Sequence, residues 1–217
     1  MPVDAVFGNL DRYVESFGVT LLLLLVSGAA ALVLGSIIAV MRISPIGSLR
    51  VFGTVYTEIV RNTPLALVLF FCAYVLPILG VRMGYIYFAF IGLSVYTSPF
   101  VAEALRSGIN GVPIGQAEAA RSLGLGFRQS VGSIILPQAF RMVIPPLINV
   151  FIALTKNTSV ASGFFVFELV ALGKELANAH GNAVIPVLLG VAVFYLVITV
   201  PLGIVASRLE RRWVVTR

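Results

Sequence analysis

Soft metal ligands are nearly absent: among 217 residues there is one cysteine, Cys72, and one histidine, His180. A lone cysteine excludes an intrachain disulfide and any Cys-x-x-Cys redox or metal unit. A lone histidine in Asn178-Ala179-His180-Gly181-Asn182 has no second ring to share an ion, so a solvated loop position is expected for it. Charge is scarce too, at 11% of residues, against about 25% in an average soluble domain. No Gly-x-x-x-x-Gly-Lys-Ser/Thr phosphate loop occurs; the interval from Gly108 to Gly115 lacks the lysine and the hydroxyl that hold nucleotide and magnesium. Neither a paired-carboxylate nor a nucleophile constellation is present, which argues against an enzyme. Asp4, Asp11, Arg12 and Glu15 replace the basic start of a cleavable signal peptide, so the first helix is expected to be an uncleaved anchor.

What fills the chain instead is apolar: 59% hydrophobic residues and a mean hydropathy of +1.03. The expectation is one all-α integral membrane domain, because several runs approach the roughly 20 residues that cross a ~30 Å hydrocarbon core. Five spans are read, at about 19–41, 50–79, 85–104, 134–155 and 184–206, with a polar loop at about 107–133. Small residues from Gly28 to Ala31 and Gly35 suit the first span to close helix packing. The second carries Glu58, Arg61, Asn62, Thr63 and Pro64 before its apolar run, and Glu58 and Arg61, three apart on one helix face, could neutralise each other. The fourth contains Pro137, Pro145 and Pro146 and is expected to be kinked or interrupted. After it, a short hydrophobic stretch to Leu172 and a polar connector from Lys174 to Asn182 lead to the last span.

The net charge of +6 is dispersed over loops, which disfavours nucleic acid and fits the positive-inside rule. With the amino terminus outside and the carboxy terminus cytoplasmic, Arg42, Arg50, Arg106, Arg121, Arg128, Arg141, Arg208, Arg211, Arg212 and Arg217 fall inside, against Arg12, Arg82 and Lys174 outside.

The polar loop reads Gln116-Ala117-Glu118-Ala119-Ala120-Arg121-Ser122-Leu123-Gly124-Leu125-Gly126-Phe127-Arg128. Ala117 to Arg121 favour helix and Gly124 and Gly126 permit a turn, so two short helices at an angle are expected. Glu118, Arg121 and Arg128 would orient such a knob, while Ala119, Ala120, Leu123 and Leu125 offer it a small apolar surface. The spacing Glu118-Ala119-Ala120, three residues, Gly124, nine residues, Ile134, one residue, Leu136-Pro137 resembles the EAA motif of the membrane subunits of bacterial ABC importers. Arg61-Asn62-Thr63-Pro64-Leu65, Tyr96-Thr97-Ser98 with Glu103 and Arg106, and Leu154-Thr155-Lys156-Asn157-Thr158-Ser159 look like the polar amino-acid permeases, in wording similar to actinobacterial glutamate permease subunits.

That resemblance implies a five-span type I importer permease in the bacterial cytoplasmic membrane, working by alternating access. It implies two ATPase subunits holding ATP and magnesium, a second permease chain (a related heterodimer favoured over a homodimer) and an extracytoplasmic solute-binding protein. This chain would need no cofactor of its own and would couple through Ala117 to Arg121, Leu123, Gly124 and Arg128. A polar amino acid must exchange hydration for paired charges and hydrogen bonds. The candidates at membrane depth are the cations Arg61 and Lys156, the anions Glu58 and Glu103, and the neutral groups of Asn62, Thr63, Ser98, Asn149, Asn157, Thr158 and Ser159. An ion-coupled secondary amino-acid carrier, with Glu58 or Glu103 binding a proton or sodium ion, is the other transport reading.

Overall fold

A computed structural model describes residues 3–213; Arg217, assigned above to the cytoplasmic side, lies outside them. Every element in the described residues is helical: α1 (Asp4–Phe7), α2 (Leu10–Ile43), α3 (Gly47–Asn62), α4 (Leu65–Ile78), α5 (Tyr85–Asn110), α6 (Ile114–Ser122), α7 (Phe127–Gly163), α8 (Leu169–Ala179) and α9 (Gly181–Trp213). Four of these, α2, α5, α7 and α9, are each long and apolar enough to span a bilayer, and α3 with α4 forms a bent fifth candidate. The bundle thus has two ends, one marked by α6 and the other by α8.

The second span differs from the single helix expected at 50–79, because α3 and α4 meet at 100°. Pro64 supplies no N–H and crowds the residue before it, and Thr63 accordingly takes extended dihedrals, φ −88° and ψ 133°. The same chemistry explains two π-helical turns. Phe71–Val75 and Ser130–Ile135 each end two residues before a proline, Pro77 and Pro137, and the wider turn relieves the clash of that ring with the carbonyl four residues earlier. Pro145 and Pro146, in contrast, lie inside an α-helix that runs unbroken from Leu136 to Asn157, so of the kink or interruption expected there the interruption does not occur.

The spanning helices also outrun their apolar cores. α2 starts nine residues before position 19 because its first turns are buried by neighbours: Tyr13 is fully buried, donates to the Val187 carbonyl at 3.0 Å and stacks on Phe194. Arg12 pairs with Glu175 at 2.7 Å, tying α2 to α8. The connector expected from Lys174 to Asn182 is mostly helix, since α8 runs to Ala179 and buries Leu169, Leu172 and Leu176 between α2 and α9.

α2 and α5 form the principal pair, and glycine makes their approach possible. A Cβ at Gly35 would lie 2.6 Å from Val101 Cβ and 2.7 Å from the Ser98 carbonyl. Around this pair, Leu23, Leu69, Leu93 and Leu154 join α2, α4, α5 and α7 in one apolar core.

Candidate functional site

Three features carry polar chemistry in this apolar bundle: a trough along α5 and α7, a knob at the α6 end, and a buried carboxylate.

The trough consists of three clefts sharing walls. The first, about 560 Å³, lies between α5 and α7 and is bordered by Tyr96, Thr97, Phe100, Asn149 and Asn157. Phe100, Pro146 and Val150 also border the second, about 530 Å³, which reaches Arg61, Asn62 and Glu103. The third, about 600 Å³, opens towards the α6 end among Arg42, Glu58, Arg61, Glu103, Arg106 and Asn110. Thr97 is 3% exposed and its Oγ1 has no partner among the described residues, so a hydroxyl is left unsatisfied beside the first cleft.

Glu103 is the hub of the third cleft. Arg42 Nη1 donates to its Oε1 at 2.7 Å, and Arg61 Nη1 lies 3.1 Å from its Oε2. One carboxylate from α5 therefore holds a guanidinium from α2 and another from α3. The Arg42 side chain is only 5% exposed, a burial that only such charge-assisted partners can offset. The Glu58–Arg61 pair read from spacing is replaced: Arg61 turns to Glu103, and Glu58 accepts from Asn62 Nδ2 through its carbonyl at 2.7 Å and its Oε2 at 3.4 Å. With Arg42, Arg61 and Arg106 against Glu58 and Glu103, the cleft carries a net positive charge.

Of the residues named from sequence, Glu58, Arg61, Asn62, Glu103, Asn149 and Asn157 border the trough. The others are placed elsewhere. Ser98 is fully buried towards α3, donating to the Val95 carbonyl at 2.9 Å and lying 2.8 Å from the Tyr56 hydroxyl. Thr63 closes the α3–α4 bend through the Ile59 carbonyl, and Thr158 is buried on the Thr155 carbonyl. Ser159 donates to the carbonyl of Lys156, whose side chain is exposed and borders none of the three clefts. The trough adds Arg42, Thr97 and Arg106, which the sequence reading does not place among the site residues; the signal is present for Arg42 and Arg106, as arginines flanking apolar runs.

The knob is α6 with the turn after it. Leu125 N–H donates to the Ala120 carbonyl and Gly124 N–H to that of Arg121, with Gly124 at φ +75°, a left-handed position that favours glycine. Gln129 Oε1 then accepts from Gly126 N–H at the start of α7. Glu118, Ala119, Arg121 and Arg128 are exposed, but Ala120 is buried, so it is packing within the knob rather than part of its outer surface. The apolar surface presented is larger than alanine offers: Ile114, Leu123 and Phe127 are 76%, 78% and 82% exposed.

The buried carboxylate, Glu168, has no counterpart among the residues named from sequence. It is fully buried, caps α8 by accepting from Val170 N–H at 2.8 Å and Ala171 N–H at 3.2 Å, and receives the Tyr195 hydroxyl at 2.7 Å and that of Thr20 at 3.4 Å. Thr20 lies ten residues into α2, about 15 Å from that helix's end at 1.5 Å per residue. Thr20 is also one residue inside the apolar run read at 19–41, so the group is sealed within the bundle towards its α8 end.

Residues 31–215 match the family described as binding-protein-dependent transport system inner membrane component. The chain is 44% identical over 214 residues to a protein of Corynebacterium glutamicum named glutamate transport system permease protein GluC, covering 93% of this chain and 94% of that one. It is 42% identical over 212 residues to the probable glutamine ABC transporter permease protein GlnM of Bacillus subtilis, covering 98% of each. Among solved structures, a chain of an amino acid ABC transporter crystallised with histidines superposes with a TM-score of 0.84 at 28% identity, over 95% of this chain and 98% of that one.

Proposed function

This chain belongs to the binding-protein-dependent transport system inner membrane components, and from that premise we propose that it is the permease subunit of an ABC importer for a polar amino acid, glutamate favoured. The observation that carries the reading is the trough, which joins the neutral groups of Thr97, Asn149 and Asn157 to the cationic cleft of Arg61, Glu103 and Arg106. An amino acid arriving dehydrated finds hydroxyl and amide partners first and a net positive cleft next, an order suited to a substrate with two carboxylates and one ammonium. The glutamate and glutamine permeases among its relatives support this class.

The trough is open along one side, so a second permease chain completes the path, a related partner being favoured. The knob receives force: two ATPase subunits, with ATP and magnesium bound to them, grip Leu123, Phe127 and the exposed charges of Glu118, Arg121 and Arg128 at the α6 end. The α6 end then faces the cytoplasm and the α8 end faces the binding protein outside. Closure of the ATPases moves the knob and switches the trough between inward and outward access.

Reconstitution with the ATPase and permease encoded beside it, and with its binding protein, tests this directly. ATP-dependent uptake of labelled glutamate is expected, weakened in Arg61→Ala with basal ATP hydrolysis intact. Uptake driven by an ion gradient without any ATPase would sink the proposal. Lys156→Ala, away from the clefts, is expected to leave substrate affinity unchanged.

A further inference from the structure

One face of α9 changes chemistry along its length. Val200, Gly203 and Ile204 make its apolar part, and Ser207, Arg208 and Arg211 continue the same stripe at helical spacing towards the α6 end. With Arg212 beside them they border a shallow groove of about 610 Å³. Its floor is open at Gly203, where a Cβ would meet no atom within 4 Å, and Val200 and Ile204 are 48% and 46% exposed.

The cationic half is only partly balanced from within. None of Arg208, Arg211 and Arg212 pairs with a carboxylate among the described residues, and Glu210 is the one acid in that turn, leaving a net charge of +2 over positions 208–212. Trp213, an amphipathic ring that lines a shallow pocket together with Phe140 and Arg141, marks the level of a membrane interface. Arg208 lies five residues earlier, roughly 7 Å deeper along the helix. Arg208 thus stands two residues past the apolar run that ends at Ala206, at the level where lipid headgroups offer it an anion.

We infer that this face of α9 binds an anionic phospholipid, one acyl chain along Val200, Gly203 and Ile204 and the phosphate held by Ser207, Arg208 and Arg211. Charge complementarity selects the occupant. A zwitterionic headgroup brings its own cation into a site already at +2, whereas an anionic one neutralises it. A soluble partner could reach the arginines but not the apolar floor, which lies within the hydrocarbon.

The test uses the complete transporter in nanodiscs of phosphatidylcholine with phosphatidylglycerol, followed by native mass spectrometry of the released complex. Preferential retention of phosphatidylglycerol is expected. Each of Arg208→Gln and Arg211→Gln weakens it about fivefold, from the attraction of one basic residue to an anionic surface. Gly203→Leu fills the groove floor with every charge in place and should lower retention as well, while the Arg208→Lys and Arg211→Lys pair keeps most of it. ATPase retained in the same spectra reports that each variant has folded and assembled. The inference is overturned if phosphatidylglycerol and phosphatidylcholine are retained equally. It is equally overturned if neither Gly203→Leu nor the glutamine pair changes retention, or if the glutamine pair releases the ATPase and leaves the lipid in place.

Discussion

Glu168 offers the sharpest test of how a buried carboxylate is tolerated inside an apolar helical bundle. Its Oε1 accepts two α8 N–H groups and its Oε2 accepts two hydroxyls, one from α2 and one from α9. Glu168→Ala removes a helix cap, about 1 kcal/mol. It strands the Tyr195 hydroxyl, about 1–3 kcal/mol, and leaves a void costing about 1 kcal/mol more. The sum is roughly 3–5 kcal/mol, or about 10 °C in Tm at 2–4 °C per kcal/mol for a chain of this size. Glu168→Gln keeps an oxygen for the two N–H groups, and its amide can donate to Tyr195, which reverses role; a loss of about 1 kcal/mol, some 2–4 °C, is expected. Thermal unfolding of the detergent-purified chain, read by intrinsic fluorescence, measures both. Tyr195→Phe combined with Glu168→Ala should cost less than the two single changes added, because both remove the same contact. If alanine shifts Tm by less than about 2 °C, or if glutamine proves as harmful as alanine, the reasoning from hydrogen-bond satisfaction fails.

Three other outcomes are expected. Leu123→Ser with Phe127→Ser should lower affinity for the ATPase about 100-fold in a pull-down titration, at about 1.5 kcal/mol or more per apolar side chain, while leaving the chain's own Tm unchanged because both side chains are exposed. Glu103→Leu should cost about 3 kcal/mol by leaving Arg42 buried without its partner, and the double change Arg42→Leu with Glu103→Leu should recover most of that loss in the same thermal assay. Gly35→Leu should destabilise by about 2 kcal/mol or more, because its Cβ would fall inside contact distance of Val101 and the Ser98 carbonyl; monodisperse yield and Tm both report it.

The all-helical membrane fold and the knob are legible in the sequence because each rests on local signals, a long apolar run in one case and an Ala-rich turn punctuated by Gly124 in the other. The trough is partly legible: Arg61, Glu103, Asn149 and Asn157 announce themselves as polar side chains in apolar surroundings. Their partners do not, since a spacing of three residues suggests Glu58 for Arg61 whereas the 100° bend at Pro64 swings α3 so that Arg61 meets Glu103 on α5. Pairing across helices depends on tertiary geometry that helical periodicity does not contain. Glu168 escapes sequence reasoning for a related reason. It stands inside the short hydrophobic stretch read up to Leu172, where helical periodicity assigns it no partner, and its burial becomes visible only once Thr20 and Tyr195 are seen to converge on it.

These placements divide the chain's polar chemistry between two sets of helices. Arg42 apart, the trough is lined from α3, α5 and α7, and its paired charges stay within reach of a solute: the Arg61 and Glu103 side chains are each 38% exposed. The Glu168 network belongs to α2, α8 and α9 and is closed to solvent, its four donors meeting the carboxylate without any cation among the described residues. A group that must exchange partners with a passing solute has to border the path and be incompletely satisfied; one that must hold helices together has to be neither. On the path proposed above, Thr97, unpaired beside the first cleft, meets the first requirement, and Glu168 meets the second. Loss of Thr97's hydroxyl in Thr97→Val should therefore lower uptake with little effect on Tm, whereas Glu168→Ala should lower Tm first and uptake only as a consequence. Equal Tm losses in the two variants would refute that division.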